Sequence, residues 1–221
     1  MDESTQSACR ADLRPSAAES DLPRRGDERQ SGRGRSVGRR PTETELRDDP
    51  AWGHAYHREL IRRVPGDCVL EVLEGQLFWL CELSGHLSTE QVDRVHPPYG
   101  WTIRQVFEHV ADAERVFGER MMRIASGDPL DLPNWDENAC ADSRFGLGGF
   151  GHLVSEIAAL RQANLLLLRR VVPRAWDRVG KVNGQPLCLR AAAWFTAGHL
   201  SHHFEIVERR CGLRVRRTGG Q

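Results

Sequence analysis

AAAWFTAGHLSHHFEIVERR, residues Ala191 to Arg210, decides the reading of this chain. His199 and His203 stand at i and i+4. Four residues advance a helix by about 40° net, so both imidazoles project from one face, one turn apart. Phe195 and Ile206 lie near the same face, which turns it inward. The pattern predicts a helix from about Leu189 to Cys211, stopped by Gly212. His202 lies about 60° round the helix on the other side and reads as a rim residue, so His203 is the better partner for His199.

Working backwards, GWTIRQVFEHVADAERVFGERMMRIASGDP (Gly100 to Pro129) predicts a second long helix. The Thr102 hydroxyl and Gln105 three residues on make a capping box. Ile103, Val106, Val110, Phe117, Met121 and Ile124 form its apolar stripe, and Gly127–Asp128–Pro129 ends it. His109, near Val106 and Ala113, faces the same way as that stripe. Two further helices follow from the same periodicity. One runs from about Cys68 to Leu83, capped by Asp67. The other runs from about Phe150 to Val172, through Leu165 to Leu168, and is closed by Pro173. A short helix over His57–Val64 stops at Pro65–Gly66. Arg178 to Pro186 is a connector around Asn183–Gly184 with the signature of a small hairpin. Residues Pro129 to Gly149 form a long loop containing Trp135, and loops of that length inside a domain are often functional. There is no internal repeat. Four long amphipathic helices with no long strand make the chain all-α, and the simplest architecture is an antiparallel four-helix bundle.

Composition narrows the function classes. Lys+Arg and Asp+Glu both number 31 in 221 residues, so the formal net charge is zero. Coating nucleic acid or an anionic membrane requires a positive excess. No apolar run approaches the roughly 20 residues of a membrane span, and MDESTQSACRADLR at the N-terminus has no apolar segment of the secretory kind. Six scattered cysteines without a C-x-x-C pair argue against a disulfide framework, and a reducing cytoplasm is the default expectation. Residues 1–49 carry few large aliphatics and read as a disordered mixed-charge tail. Within them, SGRGRSVGRR (Ser31 to Arg40) is a basic tract flanked by acids, which fits a solvated linker better than a nucleic-acid arm. Residues 50–213 then form one domain, and 214–221 a short basic tail. The domain is of ordinary size for one bundle and too short for two.

Two histidines on one helix and a third on another could supply three neutral nitrogens at a bundle core and leave one coordination position open for a water or substrate. The plainer alternative is a polar core pair or surface imidazoles, and spacing alone does not choose. The segment Gly100 to Pro129, with its Trp, capping Thr, His109 and Ala-Asp-x-Glu stretch, resembles the second-helix signature of the DinB-like superfamily. Ala191 to Arg210 resembles its last helix, with the Gly-His-x-x-His-His pattern, and PNWDENACA (Pro133 to Ala141) resembles the loop after helix two. The resemblance spans roughly Tyr56 to Gly212. It implies a four-helix bundle, often a homodimer, with a divalent metal (zinc, nickel or iron) held by His109, His199 and His203. One departure is Cys188, where the family pattern suggests Ser or Thr as the cap of the last helix. The resemblance further implies a metal-dependent enzyme acting on a small molecule, either a transferase using a low-molecular-weight thiol or a hydrolase using water. The alternative is a non-catalytic metal- or ligand-binding bundle of the stress-response kind.

Other residues carry weaker expectations. Asp112 and Glu114 could orient a histidine N–H or act as a general base, or simply pair with Arg115 or Arg120 on the helix surface. Trp135 and Asp136 could cover the metal mouth or pack as ordinary loop. Trp101 reads as an aromatic staple near the helix start. His54, His57, His86, His96 and His152 read as solvated, and Cys68 and Cys81 as small core residues. The run Arg209, Arg210, Arg214, Arg216 and Arg217 reads as cations favoured at a helix C-terminus.

Overall fold

The computed structural model describes residues 37–143 and 148–217. In chain order the elements are α1 (Glu43–Asp48), α2 (Ala55–Arg63), α3 (Val69–Gly85), α4 (Thr89–Asp93), α5 (Ile103–Ser126), β1 (Asp131–Leu132), α6 (Glu137–Ser143), α7 (Phe150–Arg169), β2 (Val179–Val182), β3 (Gln185–Cys188) and α8 (Leu189–Cys211). The four long helices α3, α5, α7 and α8 form a four-helix bundle. α3 and α5 each pack on both α7 and α8, so the ring order is α3–α7–α5–α8 and the first two long helices lie on a diagonal. No helix of the described residues is long and apolar enough to cross a membrane.

Local chemistry sets the helix ends. The Thr102 hydroxyl accepts from the Gln105 amide at 3.1 Å, and the Gln105 side chain accepts from the Thr102 amide at 2.9 Å. α5 ends at Gly127 in the left-handed conformation, φ 77°, which glycine adopts without steric cost. The departure at Cys188 has a direct resolution: its sulphur accepts from the Ala191 amide at 3.3 Å and caps α8. Burial pushes that thiol up to about 11, so it stays protonated. The hairpin is present as β2–β3, antiparallel, with positive φ at Asn183 and Gly184 as a tight hairpin turn requires. β1 adds in parallel to β2, and α6 follows it, so the long loop is partly ordered.

The folded chain begins before residue 50, contrary to the expected boundary. α1 has its own capping box, Thr42 with Glu45, and Leu46 is buried. Arg39 pairs with Glu45, whose carboxyl it pulls down to about 2. The Trp194 indole N–H donates to the Arg39 carbonyl at 2.9 Å. Asp67 does not cap α3. Instead the backbone of Gly38 accepts from the Val69 amide at 2.8 Å and Arg40 donates to Asp67 at 2.8 Å. This segment is held by caps, ion pairs and backbone pairing, which an inventory of aliphatic residues does not register. Residues 1–36, with most of the Gly/Arg tract, lie outside the described residues, as do 144–147 and 218–221. At the other end, Arg217 pairs with Glu205 and Glu208, each at 3.0 Å, and lies 4.4 Å over the Trp79 ring. Arg210 lies 4.8 Å over Tyr99, so the basic run is partly engaged by the fold. The described cysteines are free thiols; Cys81 is exposed and Cys68 half-buried, rather than core.

The core has two apolar levels. One contains Leu73, Phe117, Met121, Leu165, Leu168 and Trp194. The other contains Leu80, Phe107, Val110, Ile157, Leu200 and Phe204. In sequence, each long helix passes between them through polar residues: Gln76 on α3, His109 and Glu114 on α5, Arg161 and Asn164 on α7, His199 and Ser201 on α8, all buried. Arg161 donates to both Glu114 oxygens, at 3.1 and 2.5 Å, and also to the Gln76 side-chain oxygen. Gln76 in turn donates to the Ala197 carbonyl at 2.8 Å and the Ser201 hydroxyl at 2.9 Å. Asn164 donates to the Glu114 carboxylate and carbonyl, both at 3.0 Å. Glu114 is therefore a buried structural anion, not a surface charge.

α2 lies across α8 at close range. A Cβ at Gly198 would meet the Leu60 carbonyl oxygen at 2.8 Å, so only glycine fits without a backbone shift. Gly198→Ala should cost about 1–3 kcal/mol in chemical denaturation. Removing one partner of a buried pair leaves an uncompensated charge, so Glu114→Ala should cost about 3–5 kcal/mol. Arg63→Ala, which loses only an exposed pair with Glu59, should change stability by no more than about 1 kcal/mol.

Candidate metal centre

α5 and α8 bring three imidazoles to one point. The His109 Nε2 lies 3.0 Å from the His199 Nε2 and 3.1 Å from the His203 Nε2, and the last two are 3.2 Å apart. Among the described residues, these three form the one group of histidine, cysteine or acidic side chains whose ligand atoms converge in this way. His109 and His199 are buried, and His203 half-buried at the open side. Their positions follow from the helices: His199 and His203 are one turn apart on α8, and His109 comes from the neighbouring face of α5. His202 does not join them. It is half-buried, with its ring 5.2 Å from that of His203.

The donor set fits a cation. Burial pushes the His109 imidazole down to about 4 and holds His199 and His203 well below the usual histidine range, helped by the neighbouring imidazoles. At neutral pH all three are uncharged, each with one lone pair. Without a cation, three nitrogens this close cannot all be satisfied: one N–H can donate, but two lone pairs still face each other. Nitrogens held about 2.0–2.1 Å from one zinc-sized ion lie about 3 Å apart, which is the spacing seen.

Aromatic rings, not hydrogen bonds, hold His109. Trp135 stacks on it with ring centroids 5.3 Å apart and 10° between planes, and Trp101 packs at 5.5 Å. Trp101 is thus a wall of the site as well as a residue near the helix start. The His109 Nδ1 is buried without a hydrogen-bond partner, so neither Asp112 nor Glu114 orients it. Both Glu114 oxygens are taken by Arg161, and Asp112 lies 3.8 Å from Arg115.

The acid at the site is Glu137, which sequence reasoning missed. Its Oε2 lies 3.8 Å from the His109 Nε2. Burial, and then the neighbouring Asp136, raise its carboxyl above the ordinary value. Asp136 accepts from the Ala139 amide at 2.9 Å in the first turn of α6, which turns the next residue towards the histidines. The available signal was the acidic pair beside Trp135 in PNWDENACA. Beyond these residues opens a cavity of about 380 Å³, lined by Tyr56, His57, Arg120, Trp135, Glu137 and His199 among others. His57 is not solvated as expected. It stacks 3.8 Å from His54 and 4.1 Å from Phe195, and burial drives it down to about 3. His96 is also buried, its Nε2 2.8 Å from the Gln91 carbonyl.

A helical bundle with histidines converging from two of its helices is the class that fold and site define. The family model of the DinB superfamily matches residues 80–207, more than half of the chain. The protein belongs to that superfamily. Among solved structures it is similar to YfiT from Bacillus subtilis, described as a probable metal-dependent hydrolase with an unusual four-helix bundle topology. The TM-score is 0.58 at 21% identity, over 66% of this chain and 87% of that one, which shows a shared fold. No curated protein matches the sequence.

His57 makes the fold sensitive to acid. Its folded value lies far below the ordinary 6.5, so the unfolded chain binds a proton that the folded chain refuses. The stabilisation is full above about pH 6.5 and is lost as pH falls towards about 3. His57→Phe should flatten the fall of unfolding free energy with pH across that window by up to about 1.4 kcal/mol per pH unit. Denaturation midpoints from pH 7 to 4 measure this.

Proposed function

We propose that this protein is a divalent-metal-dependent enzyme, and in the first instance a hydrolase of a small substrate. His109, His199 and His203 would hold the ion, and Glu137 would carry the proton. The observation that carries this reading is the triangle of Nε2 atoms with edges of 3.0–3.2 Å. The described likeness of YfiT to a metal-dependent hydrolase supports it.

When bound, the ion supplies Lewis acidity, lowering the pKa of a water or thiol and polarising a substrate carbonyl or phosphoryl group. Imidazole donors accept zinc, nickel or iron. The chain's own groups do the rest. Glu137, with a raised carboxyl beside His109, takes the proton of the attacking water and returns it to the leaving group. Trp135 covers His109 from the loop side and fixes its ring plane. The same arrangement would serve a low-molecular-weight thiol as nucleophile in S-transfer, with the proton again passing to Glu137.

Elemental analysis of the purified full-length chain should find about one divalent ion per chain, and His199→Ala should lose it. Less than about half an ion after mild loading would overturn the reading. An ester, amide, phosphoester and thiol-conjugation panel then separates hydrolysis from S-transfer. Glu137→Gln should keep the ion and lose about 10²–10⁴-fold in turnover. An unchanged rate would remove Glu137 from the mechanism.

A further inference from the structure

Arg120 lies on α5 about three turns beyond His109, inside the cavity that opens in front of the histidines. A smaller adjoining cavity is lined by the same arginine with His57, Phe117 and Phe195. The guanidinium is well withdrawn from water, and desolvation lowers its pKa. Its Nη2 donates to the Pro133 carbonyl at 3.1 Å, and the group lies 5.9 Å over the Phe117 ring. Neither contact is anionic. Among the described residues no carboxylate forms an ion pair with it, whereas Arg104, Arg123, Arg161 and Arg217 each meet one.

Two acids share the cavity, and both are directed elsewhere. Asp136 accepts from the Ala139 amide, and Glu137 stands beside His109. A half-buried cation without a counterion is costly, and Arg carries five donors in a planar fork matched to carboxylate or phosphoryl oxygens. Around it, Phe117, Phe195, Trp135 and Tyr56 offer apolar faces. The cavity is of the size that takes one small molecule.

We propose that this cavity is a subsite for a small anionic compound, its carboxylate or phosphoryl group on Arg120 and its apolar or aryl body against Phe117, Phe195 and Trp135. As a statement about substrate class this rests on the enzymatic reading above; the anion binding itself does not require the ion. Arg120 thereby selects the substrate and turns its far end towards the histidines.

Calorimetric titration of the full-length protein with benzoate, phenyl phosphate and benzamide tests this. At least one of the two anions should bind tenfold or more tighter than neutral benzamide, and the better of the two identifies the preferred group. Arg120→Gln should abolish that preference, and Arg120→Lys, which keeps the charge but not the fork, should restore part of it. His203→Ala removes one nitrogen of the triangle and should leave the preference intact. Wild-type protein that does not distinguish anion from amide overturns the proposal without recourse to any variant. So does a preference that survives Arg120→Gln and vanishes in His203→Ala, which would put the anion on the ion and leave the metal reading standing. A preference dependent on Arg120 in protein that holds no ion would sustain the subsite while the metal reading fell.

Discussion

The Glu114–Arg161 pair is the constraint around which the bundle is organised. Both side chains are buried in the middle of the molecule, with Arg161 donating to each carboxylate oxygen. A charge there is tolerable only if every polar atom around it finds a partner, because desolvation costs several kcal/mol per ion. The partners come from the other helices: Asn164 on α7, Gln76 on α3, and through Gln76 the backbone and Ser201 of α8. The network therefore runs from α5 to α7 to α3 to α8. The three histidines join α8 back to α5 and close the circuit. Two apolar levels alone would tolerate sliding of one helix along another; a fully bonded polar layer between them admits a single register.

That register fixes the histidines. α8 is buried along nearly its whole first half, from Leu189 to Ser201, because α2, α3, α5 and the hairpin all pack against it. Its small residues, Ala191 to Ala193, Ala197 and Gly198, are what permit so many neighbours at once. α2 is close enough to require glycine immediately before His199. A side chain carried by a helix held on this many sides has little freedom, and a site that must present three nitrogens about 3 Å apart needs that rigidity.

The sequence revealed this site unevenly, for physical reasons. His199 and His203 were readable because i, i+4 spacing is a local geometric fact, and His109 because it lies beside the apolar stripe of its helix. The Thr102 cap and the Asn183–Gly184 hairpin were equally local. Glu114 was read as a surface or catalytic acid, since nothing near it in sequence announces Arg161; their meeting depends on α5 packing against α7. Glu137 was invisible for a similar reason. It touches His109 only after a two-residue strand pairs with the hairpin and a short helix folds back on α5. The segment from residue 37 to 49 was misread because its anchoring lies in caps, carbonyls and one ion pair, not in buried aliphatics.

The division between what was readable and what was not follows a division in the site. The nitrogens belong to the bundle and share its rigidity. Trp135 and Glu137 belong to the connection between α5 and α7, and their grip on the site is two contacts with His109: a ring stack and a carboxylate 3.8 Å from its Nε2. Because the His109 Nδ1 has no hydrogen-bonded partner, that stack, with Trp101, is what sets the ring plane. A change in the connection would thus alter the acid, the cover and the orientation of one nitrogen together, while the Glu114–Arg161 layer and the α8 histidines stayed in place. Chemistry placed on loops over a rigid scaffold varies in this way without endangering the fold. Here the scaffold fixes where a cation can sit, and a single short connection governs what is done beside it.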